Sequence, residues 1–242
     1  MLRLKLALIT AISVLCLASN SDAQVRYQQT STTGLSVNTA TVPFALDDIT
    51  FAPGSTAVLQ QLSALTFGLG VLPGTTAQTA TVFFDFYNTV NAASLGAVNT
   101  DYLGGFVGTI TITANTGTGT AARAFTFSNL ASLSTPILFN DDNIGVVLRV
   151  ANAAGDTYST VAYPLTSNPG APTIGASATG IYRDANNDGT FQSSEFNAAQ
   201  GNLYLSISTV AVPEPATISM FAFGVLPLLA IAHRKARNRR RA

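Results

Sequence analysis

The chain has 242 residues and a formal net charge of zero at pH 7, with 47% hydrophobic and 10% charged residues. The zero conceals an uneven distribution, because residues 24–211 carry four arginines against nine aspartates and one glutamate, a net charge of −6. This segment has no histidine, cysteine, lysine or tryptophan, which excludes Ser-His-Asp catalysis, ordinary zinc sites and disulfides, and its acidity disfavours nucleic acid as a partner.

The first predicted element is a signal peptide at residues 1–23. Arg3 and Lys5 precede an apolar stretch over residues 6–17, and the small residues that follow favour cleavage before Gln24. We therefore expect signal peptidase to process the chain and the remainder to be exported.

Residues 24–211 are predicted to form an all-β domain. Apolar and polar residues alternate with the period of two that is typical of a strand with one face on a core. The alternating stretches lie at 65–69, 82–87, 106–113, 125–127, 144–150 and 203–207. Segments rich in Gly, Pro, Asn and Asp separate them, and no helical period persists beyond about two turns. We expect an antiparallel β-sandwich, jelly-roll-like, whose two inner faces form the core.

One of these stretches combines aromatic rings with a carboxylate. Phe83, Asp85 and Tyr87 stand at alternate positions and are predicted to share one face of a sheet. This face is a hypothesis for sugar binding, although such a stripe more often packs against a neighbouring sheet or loop.

Two acidic pairs, Asp47–Asp48 and Asp141–Asp142, are the candidates for catalysis by two carboxylates, the arrangement that many glycosidases use. Adjacent residues on a strand point to opposite faces, and Asp-rich loops are usually turns or solvated surface. Catalysis is therefore the weaker interpretation, and we expect no enzyme.

The segment Asp184–Glu195, DANNDGTFQSSE, matches the calcium-loop pattern D-x-[DN]-x-[DN]-G-x5-E and resembles an EF-hand loop. Ca2+ takes six to eight oxygen ligands, and this spacing lets one loop supply most of them. The predicted ligands are Asp184, Asn186, Asp188, the carbonyl of Thr190 and Glu195. The preceding residues do not favour an entering helix, so a polar hairpin over Tyr182–Phe191 remains the alternative.

Three signals follow one another at the C-terminus: the hexapeptide VPEPAT at 212–217, an apolar run to Ala232, and a basic tail at 233–242. Residues 216–232 carry no charge and, at about 1.5 Å per residue, reach the lower limit for a transmembrane helix. The basic residues of the tail are Arg234, Lys235, Arg237, Arg239, Arg240 and Arg241. By the positive-inside rule, the tail stays in the cytoplasm and the domain before it lies outside.

This order of signals resembles the PEP-CTERM sorting signal of bacterial surface proteins, and residues 62–113 resemble the β-sandwich ectodomains often joined to it. The residues that correspond to the sorting motif are Val212, Pro213, Glu214 and Pro215. The resemblance implies that a membrane-embedded exosortase recognises an inner-membrane intermediate, cleaves near the motif and passes the protein to the cell surface or extracellular matrix. Pro227 within the apolar run and Ala242 after the last arginine depart from the usual pattern. The alternative is an ordinary C-terminal membrane anchor in which the PEP tripeptide is only a linker.

The sequence thus predicts three parts: a signal peptide (1–23), a β-sandwich ectodomain (24–211) and a sorting and anchor segment (212–242). The expected function is that of an exported, exosortase-processed, non-enzymatic surface or matrix protein with a calcium-stabilised loop. A carbohydrate-binding module of the cell envelope is the alternative, and a glycosidase is less favoured. The expected partners are signal peptidase, exosortase and the membrane, with exopolysaccharide as a further candidate.

Overall fold

A computed structural model of the chain describes residues 23–32, 35–37, 43–52, 59–88, 101–167, 172–177, 180–186 and 190–212. Over these ranges the chain forms β-strands and short 3-10 turns and no α-helix. Residues Ala23–Val210 form one compact unit.

The strands in chain order are β1 (Gln24–Gln29), β2 (Leu35–Ser36), β3 (Phe44–Thr50), β4 (Gln60–Val71), β5 (Gln78–Tyr87), β6 (Tyr102–Ile112), β7 (Ala121–Phe127), β8 (Leu138–Phe139), β9 (Asn143–Ala151), β10 (Ala162–Pro164), β11 (Thr166–Ser167), β12 (Ala176–Ser177), β13 (Ile181–Arg183), β14 (Phe196–Asn197), β15 (Asn202–Leu203) and β16 (Leu205–Ala211). The alternating stretches of the sequence fall on β4, β5, β6, β7 and β9, and the last one is divided between β15 and β16. The predicted all-β class is confirmed.

The strands assemble into two large sheets and one small one. The six-stranded sheet has the order β1-β16-β4-β10, with β7 and β8 also paired to β4. The seven-stranded sheet has the order β14-β13-β3-β9-β5-β6, with β12 paired to β3, and the small sheet has the order β15-β11-β2. The ladders are antiparallel, including the long pairings of β5 with β6 and β9 and of β4 with β7.

The core lies between the two large sheets, as the predicted β-sandwich requires. Alternate residues of β5, Val82, Phe84 and Phe86, are buried in the same cluster as Leu65 and Phe67 of β4. The ring of Phe67 meets that of Phe84 edge-on, with 5.0 Å between centroids. Aromatic contacts of this geometry add to the free energy gained from burying the rings.

No helix within the described ranges is long and apolar enough to span a bilayer. The predicted signal peptide, apart from Ala23, and the predicted span at 216–232 lie outside those ranges.

Candidate functional site

The side of the seven-stranded sheet that faces away from the core carries the aromatic stripe, and we call it the outer face. Phe83, Asp85 and Tyr87 of β5 share this face, while the residues between them enter the core. In the register of the sheet, Phe83 stands opposite Arg149 of β9, and Tyr87 stands opposite Tyr102 of β6. The alternation in the sequence predicts the first three residues together, but it does not reveal their partners on distant strands.

The ring of Phe83 is partly covered. The guanidinium carbon of Arg149 lies 3.7 Å from the centroid of the Phe83 ring, which is close cation–π contact. At the tip of the same ring, a side chain on Gly155 would begin only 3.3 Å from Cζ, so the turn after β9 passes directly beside it. Phe83 therefore serves more to hold Arg149 than to present an open ring.

Tyr102 is the most exposed aromatic residue described on the outer face, at 50%. Its hydroxyl donates a hydrogen bond of 3.1 Å to Oδ1 of Asp85, and its ring centroid lies 5.5 Å from that of Tyr87. A side chain on Gly105 would meet both Asp85 and the Tyr102 hydroxyl. The glycine opposite Asp85 is thus what allows the tyrosine to reach the carboxylate.

The environment of this cluster changes its acid–base properties. Burial raises the pKa of Asp85, although the hydrogen bond from Tyr102 and the charge of Arg149 lower it. Burial raises the pKa of Tyr87 to about 12, with smaller contributions from Asp85 and Tyr102. Tyr87 is therefore a neutral phenol at physiological pH.

Arg149 differs from the other arginines whose contacts are described. Arg26 donates to a backbone carbonyl and forms an ion pair with Asp142 at 3.3 Å. Arg123 donates to a threonine hydroxyl and a backbone carbonyl. Among the residues the structure describes, Arg149 has its stacking contact with Phe83 but no hydrogen-bond acceptor. The sequence gives no signal for this role, because it depends on the register between β5 and β9.

A second apolar cluster covers another part of the outer face. Leu46 and Val147 are buried there with Phe191, whose ring centroid lies 4.5 Å from that of Phe44. Phe191 belongs to the predicted calcium loop, so this contact fixes the loop against the seven-stranded sheet. The apolar position of the loop is thus used for packing.

Glu195, the twelfth position of the calcium pattern, folds back onto the loop. Its Oε1 accepts hydrogen bonds from the backbone amides of Ala185 at 2.8 Å and Asn186 at 3.3 Å, and its Oε2 accepts one from Gln192 at 2.9 Å. The loop is therefore closed, with its last ligand position beside its first ones. These hydrogen bonds place the twelfth position of the calcium pattern beside its second and third positions.

The other predicted calcium ligands that the structure describes are not gathered around a common point. Asp184 is fully buried and accepts a hydrogen bond from the hydroxyl of Tyr158, whereas Asn186 and Thr190 are exposed. Asp188 lies outside the described residues, and among the residues inside them no three His, Cys, Asp or Glu side chains form a metal-binding group. The donors fit Ca2+ in kind, but Glu195 would have to exchange its amide hydrogen bonds for the ion.

The alternative interpretation, a polar hairpin over Tyr182–Phe191, is supported only in part by the strand pairing. Strand β13 pairs with β14 through Ile181–Asn197 and Tyr182–Phe196, and not with residues near Phe191. The connection between these strands is therefore longer than a tight polar turn, and it includes the 3-10 turn Ser193–Glu195.

Asp47 and Asp48 point to opposite faces, as expected for neighbours on a strand. Asp47 is fully buried; Ser177 Oγ donates to its Oδ1 at 3.1 Å, and the backbone amide of Leu203 donates to its Oδ2 at 2.7 Å. Burial raises the pKa of Asp47 to about 8, although both hydrogen bonds lower it. Burial and the charge of Asp47 also raise the pKa of Tyr27.

The sequence itself predicts that Asp47 faces the core, although its pairing with Asp48 suggests a catalytic role instead. In FALDDIT, Asp47 has the same parity as Ala45 and Ile49, and both of these are core residues. An aspartate in an apolar stripe predicts a buried carboxyl group with hydrogen-bond partners.

The second acidic pair forms a turn and an ion pair. Asp141 Oδ1 accepts the backbone amides of Asp142 and Asn143, at 2.6 and 3.1 Å. Asp142 contacts Arg26. Each carboxylate of this pair has a partner within the fold.

The predicted sorting motif begins directly after β16, the last strand in the described ranges. Strand β16 ends at Ala211, and Val212 is the last residue described. The remaining residues of the motif and the basic tail are outside the described ranges.

No family model and no curated protein matches this sequence. Among solved structures, a chain of Desmodium yellow mottle tymovirus is similar at 12% identity and a TM-score of 0.24, over 81% of this chain and 87% of that one. A similarity of this size carries no conclusion about fold or function.

Proposed function

We propose that this chain is an exported, non-enzymatic protein of the cell surface or extracellular matrix. It is made with a signal peptide and a C-terminal transmembrane sorting segment around a jelly-roll-like sandwich. The observation that carries the proposal is the position of the predicted sorting motif: β16, the last strand described, ends at Ala211, and Val212–Pro215 follow directly in the sequence. A protease that reads this motif would release the complete sandwich.

The surroundings of the two acidic pairs, Asp47–Asp48 and Asp141–Asp142, support the non-enzymatic part of the proposal. Asp47 accepts two hydrogen bonds inside the fold, and Asp48 points to the opposite face. Asp141 and Asp142 hold a turn and an arginine. Glycosidase chemistry needs two carboxyl groups that converge on one substrate bond, and neither pair has that arrangement.

The decisive measurement is the intact mass of the protein recovered from its native cells. The proposal expects an N-terminus at Gln24 and a C-terminus within or close to Val212–Pro215. A mature protein that retains residues 216–242 would contradict exosortase processing and support the simple membrane anchor.

Substitution of the motif tests the same step independently. Pro213→Ala combined with Glu214→Ala should leave the unprocessed precursor in the membrane fraction. Pro73→Ala is the matched control, since it removes an exposed proline that is distant from the motif in the sequence and should leave processing unchanged. Equal processing of both variants would mean that the tripeptide is only a linker.

A second candidate function is carbohydrate binding by the outer face. The specific observation in its favour is the half-exposed ring of Tyr102, held beside Asp85 and Tyr87. Aromatic rings next to polar groups offer the apolar surface and hydrogen bonds on which sugar recognition depends. In a matrix protein, such a face would provide the contact with exopolysaccharide.

A further inference from the structure

The outer face holds one arginine and one carboxylate that the fold positions without using all of their hydrogen-bonding capacity. The guanidinium of Arg149 is fixed by the ring of Phe83 and has no acceptor among the described residues. Asp85 receives one hydrogen bond, from Tyr102 to Oδ1. Its Oδ2 has no donor in the described part of the chain. The face therefore offers up to five N–H donors and a carboxylate oxygen to an external molecule.

The register of the sheet makes Arg149 and Asp85 neighbours on the outer face. Arg149 stands opposite Phe83, and Val147 stands opposite Asp85, so Arg149 and Asp85 are diagonal neighbours on one face. The backbone positions of diagonal neighbours in an antiparallel pair are about 7–8 Å apart, and the charge of Arg149 is close enough to lower the pKa of Asp85. One sugar unit on this face can therefore reach both side chains, and Tyr102 lies on the strand at the other side of Asp85.

The charge around the face decides which class of ligand fits. Arg149 is the single cation described on this face, while Asp48 and Asp85 are also there, and residues 24–211 carry a net charge of −6. A polyanion would meet this negative field along its length. A neutral polysaccharide has no such penalty, and each hydroxyl group can accept from Arg149 and donate to Asp85.

We propose that Arg149, Asp85 and Tyr102 form a binding site for a neutral polysaccharide on the outer face. Arg149 donates to ring hydroxyls, Asp85 accepts from them, and Tyr102 stacks against the apolar face of a sugar. This inference rests on the proposed role as a surface or matrix protein and names the class of ligand for its second candidate function. In this site Phe83 does not contact the sugar; its ring holds the guanidinium of Arg149 in place.

The test is affinity electrophoresis of the full-length protein in mild detergent, in native gels that contain hydroxyethylcellulose, galactan, mannan or xylan. At least one of these neutral polymers should retard the wild-type protein. Arg149→Gln and Tyr102→Ala should each weaken that retardation about tenfold. Arg149→Lys, which keeps the charge but loses the planar stacking group, should also weaken it.

Matched controls separate binding from folding. Arg123→Gln removes an arginine from the six-stranded sheet, and Val107→Ala shortens a side chain that is 61% exposed on β6. Both should migrate like the wild type, and all variants should retain its thermal unfolding midpoint within a few degrees. Tyr102 is half exposed, so its truncation should leave the fold intact. Tyr102→Ala therefore tests binding even if an Arg149 variant is unstable.

Three results would overturn the proposal: no retardation by any of the neutral polymers, wild-type retardation of both Arg149→Gln and Tyr102→Ala, or stronger retardation by carboxymethylcellulose than by hydroxyethylcellulose. The last would assign the face to acidic ligands. None of them changes the mass of the mature protein, so failure here is distinguishable from failure of the proposed sorting and surface role.

Discussion

The backbone amide of Leu203 donates a 2.7 Å hydrogen bond to Oδ2 of Asp47 and so joins the small sheet to the seven-stranded sheet. Ser177 on β12 donates to the other oxygen of the same carboxyl group. A single buried side chain therefore links three strands that belong to distant parts of the chain. The protonation state of Asp47 becomes a determinant of stability because burial disfavours its charged form.

Stability should fall as the pH rises from about 4 to about 8. The pKa of Asp47 is about 8 in the folded protein and 3.8 in the reference state, so between these values the folded protein holds a proton that the unfolded chain releases. The free energy of unfolding then decreases with pH, by up to about 1.4 kcal/mol per pH unit. Burial also raises the pKa values of Asp48 and Asp85, which gives the same sign.

Guanidinium unfolding at several pH values between 4 and 9 measures this slope. Asp47→Asn should reduce it, because the amide cannot ionise, and it should leave a smaller slope from the other carboxyl groups. Asp156→Asn changes an exposed aspartate in a turn and should keep the wild-type slope. An unchanged slope in Asp47→Asn would show that this residue does not control the pH dependence.

The centre of the core provides a test of the sandwich itself. Phe67 is fully buried and stacks on Phe125 and Phe127, in addition to its edge-on contact with Phe84. Phe67→Ala should lower the free energy of unfolding by about 3–5 kcal/mol, since it removes a large buried ring and leaves a cavity. Urea denaturation gives the value. If Phe67→Ala lowers the free energy of unfolding no more than the exposed-site variant Val107→Ala does, Phe67 does not lie between the two large sheets.

The long strands of this core could be predicted from the sequence because their inward-facing and outward-facing residues alternate. Val82, Phe84 and Phe86 reveal their inward face directly, and Phe83, Asp85 and Tyr87 reveal the opposite one. The small sheet was not predictable, since its two-residue strands are too short to show a period of two. Arg149 was missed for a different reason: its contact with Phe83 depends on strand pairing across more than sixty positions, which local patterns do not record.

Gly105 should be intolerant of a side chain. A Cβ atom at this position would collide with Asp85, with the backbone oxygen of Phe84 and with the hydroxyl of Tyr102. Gly105→Ala should therefore reduce stability by about 1–3 kcal/mol, the usual range for overpacking, and break the hydrogen bond between Tyr102 and Asp85. Gly119→Ala is the matched control, because no atom lies within 4 Å of its Cβ position. Equal thermal midpoints for the two variants would contradict the close approach of β6 to Asp85.

The last prediction concerns Ca2+ binding by the predicted calcium loop. Both carboxylate oxygens of Glu195 accept hydrogen bonds from the amides of Ala185, Asn186 and Gln192, so binding of Ca2+ requires this side chain to exchange those hydrogen bonds for the ion. Isothermal titration of residues 24–211 should show one weak site, with a dissociation constant of about 0.1–1 mM. Asp188→Ala and Glu195→Gln should each abolish the heat, whereas Asp156→Asn should retain it. If the wild type gives no heat, or if Asp188→Ala gives the same heat, the loop is a hairpin connection closed by Glu195 alone.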